Sequence, residues 1–285
     1  MVKRVLSFLL IFSFSFVVAD DINEISDTND NNLTLKIKSF LDSDVYEQNR
    51  AFIDVVFDPK SDFYQNERVD SVKVLETLKE NGLLNLFFKT PREIQLNFKT
   101  SGSPLFFVKL MGDSLRNIGY YRYVTTASTL DSSEFTWSIR LTSEYATDPL
   151  ILQTELHKSG SNIIDIERLS AVEWTYVVDM GSSFLNLTEL EESQEIKLKR
   201  SLYAHWLNIS KIKELRIVSS RRNHWYPYIA YYDSSLHLLK VIKEDERYSS
   251  MKLEIPKEAK YIKISDLYTL KNVKDSLILH PSGRR

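Results

Sequence analysis

The residues Glu134-Phe135-Thr136-Trp137-Ser138-Ile139-Arg140-Leu141 alternate strictly between polar and apolar side chains. Successive side chains of a β-strand point to opposite faces, so this period of two predicts a strand with one buried face and one face in water. The leucines of residues 150–156 and the residues 172–178 repeat the pattern, and residues 93–99 form an earlier strand. Antiparallel sheets commonly leave one face in water, so we expect an antiparallel meander from Tyr120 onward.

Two helices are predicted to cover the apolar face of this meander. The first spans residues 67–82, with Asn66 as its N-cap and a glycine at its end. The second spans residues 104–119, with Ser103 as its N-cap, proline at its first position and glycine at its end. Together with the meander they predict an α+β domain over residues 33–181.

A change of pattern follows this domain. Residues 182–193 contain an acidic run, and we interpret them as a linker, either solvated or with a short helix that starts from a capping box. Residues 194–285 are predicted to form an all-β, jelly-roll-like sandwich, because they read as short strands separated by turn residues. The predicted strands are residues 195–199, 214–218, 226–232, 236–242, 251–255, 261–264 and 276–280.

Four pieces of the last third of the chain share a pattern with one known group of sandwiches. They are His205-Trp206-Leu207-Asn208-Ile209 with residues 212–217, Tyr228-Ile229-Ala230-Tyr231-Tyr232-Asp233 with residues 238–242, residues 255–264, and residues 275–280. Over residues 194–280 the chain resembles the galactose-binding-like jelly-roll domains, which include discoidin-type domains and many carbohydrate-binding modules. The resemblance implies a ligand site on the loops at one end of the sandwich. The chain lacks the disulfide that discoidin domains often carry.

The segment Arg221-Arg222-Asn223-His224-Trp225-Tyr226 lies between two predicted strands and is the main candidate site. Aromatic rings can stack on the C–H faces of a sugar, and Arg, Asn and His can bind its hydroxyl groups. Alternatively, Trp225 and Tyr228 plug the bottom of the sandwich and the two arginines are merely solvated, because large aromatic side chains most often serve packing. Trp206 has the same two interpretations, and we favour the core for it.

The first nineteen residues have the pattern of a secretory signal peptide. Two basic residues precede an apolar run that ends at Ala19, and the run is too short for a membrane span. Residues 20–32 are rich in Asp, Asn and Ser and are predicted to be a flexible leader. Within it, Asn32 fits an extended bacterial N-glycosylation pattern; an unmodified tail is the alternative. We expect the protein in a bacterial periplasm, or secreted.

Composition excludes several classes of protein. Removal of residues 1–19 leaves 35 of the 37 basic residues against 39 acidic ones, which argues against a nucleic-acid partner. There is no cysteine, so disulfides, thiolate metal sites and thiol nucleophiles are excluded. No transmembrane segment is expected after signal cleavage.

Catalytic motifs are not recognisable. The five histidines form no metal-binding pair, and the motifs of serine hydrolases and nucleotide-binding enzymes do not occur. We therefore expect no enzyme, cofactor or metal, but a binding or scaffold protein of the bacterial envelope whose sandwich engages a glycan or a partner protein. The polar face of the meander is a further surface for a partner. The alternatives are a structural subunit of an envelope assembly, such as a motor or secretion apparatus, and a glycan hydrolase that carries a binding module.

Overall fold

The structure, a computed structural model, describes residues 31–285. The predicted signal peptide, residues 1–19, lies outside the described residues, and so does most of the predicted leader. The last two leader residues, 31 and 32, are helical. The chain has mixed α and β structure with several antiparallel sheets, as predicted. It divides into two compact units, one ending at Asn85 and the other running from Leu86 to Arg285.

The unit that ends at Asn85 is mainly helical. Its elements are α1 (31–40), α2 (Ser43–Val56), a 3-10 turn (Lys60–Phe63), β1 (Tyr64–Gln65), β2 (Arg68–Val69) and α3 (Ser71–Glu80). The predicted helix begins at Ser71 rather than at residue 67, because Asp70 is its N-cap and accepts a hydrogen bond from the Lys73 N–H at 3.0 Å. Asn66 has a φ of 49° and forms the turn between β1 and β2.

The second unit begins with a five-stranded sheet and two helices. They are β3 (Phe87–Thr100), α4 (Pro104–Asn117), β4 (Val124–Leu130), β5 (Phe135–Tyr145), α5 (Pro149–His157), β6 (Asn162–Ser170) and β7 (Glu173–Asp179). The strand order is β4-β5-β3-β7-β6. Strands β3 and β7 pair in parallel, so the prediction of a purely antiparallel meander is wrong in this one pairing. A parallel pair requires a crossover connection, and the chain between β3 and β7 includes both helices.

Helix α5 replaces the strand that was predicted around residues 150–156. Asp148 caps it, accepting hydrogen bonds from the backbone N–H groups of Leu150 at 3.0 Å and Ile151 at 3.4 Å. Leu152 and Leu156 lie one helical turn apart and are buried, whereas Leu150 and Ile151 are exposed. The spacing of the buried leucines is therefore helical.

The last part of the second unit consists of two four-stranded antiparallel sheets, in the orders β13-β10-β15-β8 and β12-β11-β14-β9. Their strands are β8 (Ile196–Lys199), β9 (His205–Asn208), β10 (Ile212–Ser219), β11 (Pro227–Tyr232), β12 (Leu238–Lys243), β13 (Ser250–Glu254), β14 (Tyr261–Asp266) and β15 (Ser276–Arg284). Alternate residues of both sheets, such as Leu215 and Ile217 on β10 and Ile262 and Ile264 on β14, share one buried cluster. This arrangement fits a β-sandwich.

The segment 182–193 is attached to its surroundings. Leu190 is buried in the sandwich cluster, and its N–H donates to the Asn208 carbonyl at 2.8 Å. The Phe184 N–H donates to the Ser159 carbonyl at 2.9 Å. The five-stranded sheet with its helices and the sandwich thus belong to one unit, residues 86–285. The predicted domain boundaries, 33–181, 182–193 and 194–285, stay predictions.

Candidate functional site

The candidate segment, residues 221–226, lies in the connection between β10 and β11, as expected for a loop site. Its side chains do not share one environment. Arg221, Arg222 and His224 are exposed and Tyr226 is half-buried. The remaining two, Asn223 and Trp225, are buried.

Trp225 belongs to the core of the sandwich. Its side chain is 0% exposed and lies in the cluster formed by both sheets. The indole Nε1–H donates to the Ser265 carbonyl at 2.9 Å, which satisfies the polar group that burial removes from water. The prediction that this indole faces a ligand is therefore corrected, and the alternative of a packing residue describes Trp225.

Asn223 also serves the structure of the loop. It is 1% exposed, and its Nδ2 donates to the Ser276 carbonyl at 2.8 Å and to the Ser219 hydroxyl at 3.2 Å. Its Oδ1 accepts a hydrogen bond from the Asp275 N–H at 2.8 Å. With its amide fully engaged, Asn223 has no group left for a ligand, which corrects its predicted role.

A buried carboxylate that the sequence analysis missed joins this loop to the one after β14. Asp266 is 7% exposed, and its Oδ2 accepts from the Tyr226 N–H at 2.9 Å. Its Oδ1 accepts from the N–H groups of Tyr268 and Thr269 and from the Asn272 side chain, at 2.9–3.0 Å. An aspartate followed by a turn is the only sequence signal for this role.

The exposed and half-buried side chains on the two joined loops form what we call the loop-pair surface. It consists of Arg221, Arg222, His224, Tyr226 and Tyr268. The rings of Tyr226 and Tyr268 meet edge to face, with centroids 5.1 Å apart, and Tyr268 is 63% exposed. The Arg221 carbonyl accepts a hydrogen bond from the Arg247 guanidinium at 3.1 Å. The surface therefore combines cationic hydrogen-bond donors with an aromatic pair on a fixed backbone.

Two further polar residues lie elsewhere. Glu155 belongs to α5 and accepts hydrogen bonds from Asn117 at 2.7 Å and Lys158 at 2.6 Å. Asn32, the glycosylation candidate, is an exposed residue of α1, and its modification stays a prediction.

Residues 31–285 contain no group of three or more His, Cys, Asp or Glu side chains arranged to hold a metal ion. Over the same residues, every helix is too short or too polar to span a bilayer. Comparison with known proteins identifies no family, since no protein-family model, curated protein or solved structure matches this chain.

Proposed function

We propose that this protein is a non-catalytic binding protein of a bacterial cell envelope, periplasmic or secreted, and that its loop-pair surface binds a glycan. One observation supports this proposal above the others. Buried hydrogen bonds of Asn223, Trp225 and Asp266 hold the backbone of the two loops in place. This backbone presents the five side chains of the loop-pair surface. A site held in this way loses little conformational entropy when it binds, so more of the contact energy contributes to affinity.

The chemistry of the surface suits a sugar. The exposed Tyr268 ring and the half-buried Tyr226 ring offer a platform for the C–H face of a pyranose ring, and the guanidinium groups donate to hydroxyl or carboxylate oxygens. The two antiparallel sheets agree with the resemblance to galactose-binding-like domains, in which loops at one end of the sandwich bind the ligand. This agreement concerns fold class and leaves the identity of the sugar open to experiment.

The test is a glycan array probed with the full chain, followed by calorimetric titration of each hit. We expect the double variant Arg222→Ala with Tyr268→Ala to weaken binding about tenfold or more, because it removes one charged donor and one stacking ring. Arg216→Ala is the matched control, since Arg216 is an exposed arginine on β10 in the same sandwich. A blank array, or equal binding by the wild-type protein and the double variant, contradicts the proposal.

An open sheet edge favours a second candidate function, a structural subunit of an envelope assembly. Strand β4 lies at the edge of the five-stranded sheet, and all of its residues, Val124–Leu130, are exposed. It contains neither charge nor proline, the features that usually protect an edge from pairing. A cleft of about 600 Å³ lined by Arg122, Val124 and Arg140 adjoins it.

A partner protein would add a strand to this edge. We expect Ala127→Lys with Thr129→Lys to abolish retention of a purified envelope partner, because the lysines resist pairing at an edge. The loop variant Arg222→Ala with Tyr268→Ala serves as control and should retain the partner. Retention by the lysine variant would exclude β4 as the contact.

A further inference from the structure

A second cluster of aromatic and basic side chains lies on the strands of the sandwich rather than on the two joined loops. It lies on the side of the β12-β11-β14-β9 sheet that points away from the sandwich core. We call this side the outer face and define it by Trp206, Tyr228, Tyr232, Lys243 and Lys263. Alternate residues of β11 and β14 point into the core, namely residues 229, 231, 262 and 264. The residues that precede and follow each of these along the strand therefore point outward. Trp206 is half-buried and lies outside the core cluster, which corrects the preference for the core.

The strand register brings these side chains together. Lys263 on β14 is paired with Trp206 on β9 and with Ala230 on β11. Ala230 lies between Tyr228 and Tyr232 on the same face of β11, so a methyl group separates two large rings. Ala230 and Tyr261 on this face are themselves buried, so the half-buried rings of Trp206, Tyr228 and Tyr232 form its accessible aromatic surface.

Lysine ammonium groups lie over the aromatic rings across this face. Lys263 Nζ is 5.7 Å from the centroid of Trp206 and 5.9 Å from that of Tyr228. Lys243 Nζ is 5.6 Å from the Tyr228 centroid. These three lysine-to-ring distances are typical of cation–π contacts, in which the ammonium group is attracted to the face of the aromatic ring. The rings of Trp206 and Tyr232 themselves lie 5.0 Å apart.

Helix α4 contributes a further cation beside Trp206. Lys109 Nζ is 5.2 Å from the Trp206 centroid, and the Lys109 side chain is only 18% exposed. The Ser103 hydroxyl at the start of α4 donates to the Ser235 carbonyl in the turn between β11 and β12, at 3.2 Å. Burial, opposed by Asp113 and assisted by Arg116 and Lys263, lowers the pKa of Lys109.

The charges in this cluster do not balance. Asp113 forms ion pairs with both Lys109 and Arg116. Within residues 31–285, Lys243 and Lys263 form no ion pair with any carboxylate. The exposed Lys243 and the half-buried Lys263 thus have no carboxylate partner, whereas the more buried Lys109 has one. Their ammonium groups leave this part of the face with an excess of positive charge that an anionic group could pair.

We propose that the outer face is a binding site for an acidic saccharide, a sugar that carries a carboxylate, sulfate or phosphate group. The anionic group would lie beside Lys263 and Lys243, the two lysines of this face that have no carboxylate partner. The sugar ring would contact Trp206 and the tyrosines that flank Ala230 through its C–H face. This site shares no residue with the loop-pair surface, and the sandwich would then carry two ligand-binding faces.

Calorimetric titration with three probes tests the proposal. A tetrasaccharide of galacturonic acid carries both ring and charge, its fully methyl-esterified form carries the ring without charge, and inorganic sulfate carries charge without a ring. We expect the acidic tetrasaccharide to bind at least about tenfold more tightly than either of the other probes, because only it makes both kinds of contact. Equal affinity for sulfate and the acidic tetrasaccharide would overturn the saccharide proposal, as would no binding at all.

Variants identify the face that binds. Lys263→Ala and Trp206→Ala should each weaken binding of the acidic tetrasaccharide about tenfold, and Trp206→Phe should retain part of it. Lys252→Ala is the matched control, because Lys252 is an exposed lysine on β13 of the opposite sheet. Thermal melts check that each variant folds. Lys263→Arg, which keeps the charge, tests the proposal if Trp206→Ala unfolds, since it should retain binding while Lys263→Ala loses it.

The loop variant Arg222→Ala with Tyr268→Ala separates this site from the one under the proposed function. If it keeps the affinity of the wild-type protein for the acidic tetrasaccharide, the outer face binds on its own. If it loses that affinity while Lys263→Ala keeps it, the ligand is bound by the loop-pair surface and the outer-face proposal is wrong.

Discussion

The indole nitrogen of Trp225 donates a hydrogen bond to the backbone carbonyl of Ser265, 2.9 Å away, inside the sandwich. This bond joins the loop before β11 to strand β14, on which the Ser265 carbonyl lies. The loop-pair surface is therefore supported from below by a core residue, and the arginines beside it in the sequence are free to face water. Residues that stabilise the core and residues that face water are thus adjacent in one segment.

This division predicts that substitutions at two nearby positions change the free energy of unfolding by very different amounts. Trp225→Ala should lower the free energy of unfolding by about 3–5 kcal/mol, because it empties a large space in the core. Arg222→Ala should change it by less than about 0.5 kcal/mol, because the side chain is exposed. Urea unfolding followed by circular dichroism measures both values. Similar stability for the two variants would contradict the placement of Trp225.

The hydrogen bonds of Asn223 predict a local effect. Asn223→Ala leaves the Asp275 N–H without its partner and removes one of the two hydrogen bonds to the Ser276 carbonyl, which also accepts from the Ser220 N–H, and should cost about 2 kcal/mol. Hydrogen exchange should accelerate at residues 220–226, whereas β10 should keep its protection. Ser220→Ala is a milder control, since it removes one hydrogen bond to Asp275 at the half-buried rim of the loop. Unchanged exchange in Asn223→Ala would show that the loop is held by other contacts.

The sequence predicts the strands of the sandwich well, because their alternation is local and continuous. Leu215 and Ile217 face inward and Glu214 and Arg216 face outward, as a period of two requires. In the loop before β11 no such period exists, so the sequence locates the loop but does not indicate which of its side chains are buried. Trp225 is buried there because its indole finds an acceptor on another strand.

The parts of the fold that the sequence does not predict depend on distant residues. The parallel pairing of β3 with β7 joins residues such as Leu96 and Trp174, and alternation within each strand is equally compatible with either direction. The outer face combines Lys109 of α4 with Trp206 and Lys263 of two strands. No local pattern indicates that these three residues meet, because only the folded topology brings them together.

A buried hydroxyl in the sandwich gives a prediction of increased stability. Tyr231 is 0% exposed, and its hydroxyl has no hydrogen-bond partner among the residues that the structure describes. Burial also raises the pKa of Tyr231. Tyr231→Phe removes a polar group that burial separates from water, so the free energy of unfolding should rise by about 1–2 kcal/mol.

Tyr176→Phe is the matched control for this variant. The Tyr176 hydroxyl is also buried, but it donates to the Thr147 carbonyl at 3.0 Å. Its removal should lower the free energy of unfolding by about 1 kcal/mol. Urea denaturation of both variants decides the question, and a loss of stability in Tyr231→Phe would mean that its hydroxyl is satisfied, for example by a buried water.

The contact of Glu155 with α4 predicts how stability responds to acid. Burial alone would raise the pKa of Glu155, but hydrogen bonds from Lys158 and Asn117 outweigh it and hold this pKa below its ordinary value. A carboxylate whose pKa is lower in the folded state stabilises the fold above its unfolded-state pKa, and this contribution is lost as the pH falls. The loss should therefore occur below about pH 4.3, the ordinary pKa of glutamate.

Glu155→Gln isolates this contribution, because the amide keeps the shape of the side chain and does not titrate in this range. Urea unfolding at pH 7 should show the variant less stable than the wild-type protein, and the difference should shrink at pH 3, where the wild-type carboxylate becomes protonated. Lys158→Met removes one of the groups that lower the Glu155 pKa, so it should also reduce the dependence on pH. If the gap between the wild-type protein and Glu155→Gln is the same at both pH values, the ionised carboxylate contributes no stability and the contact with Asn117 acts only through its shape.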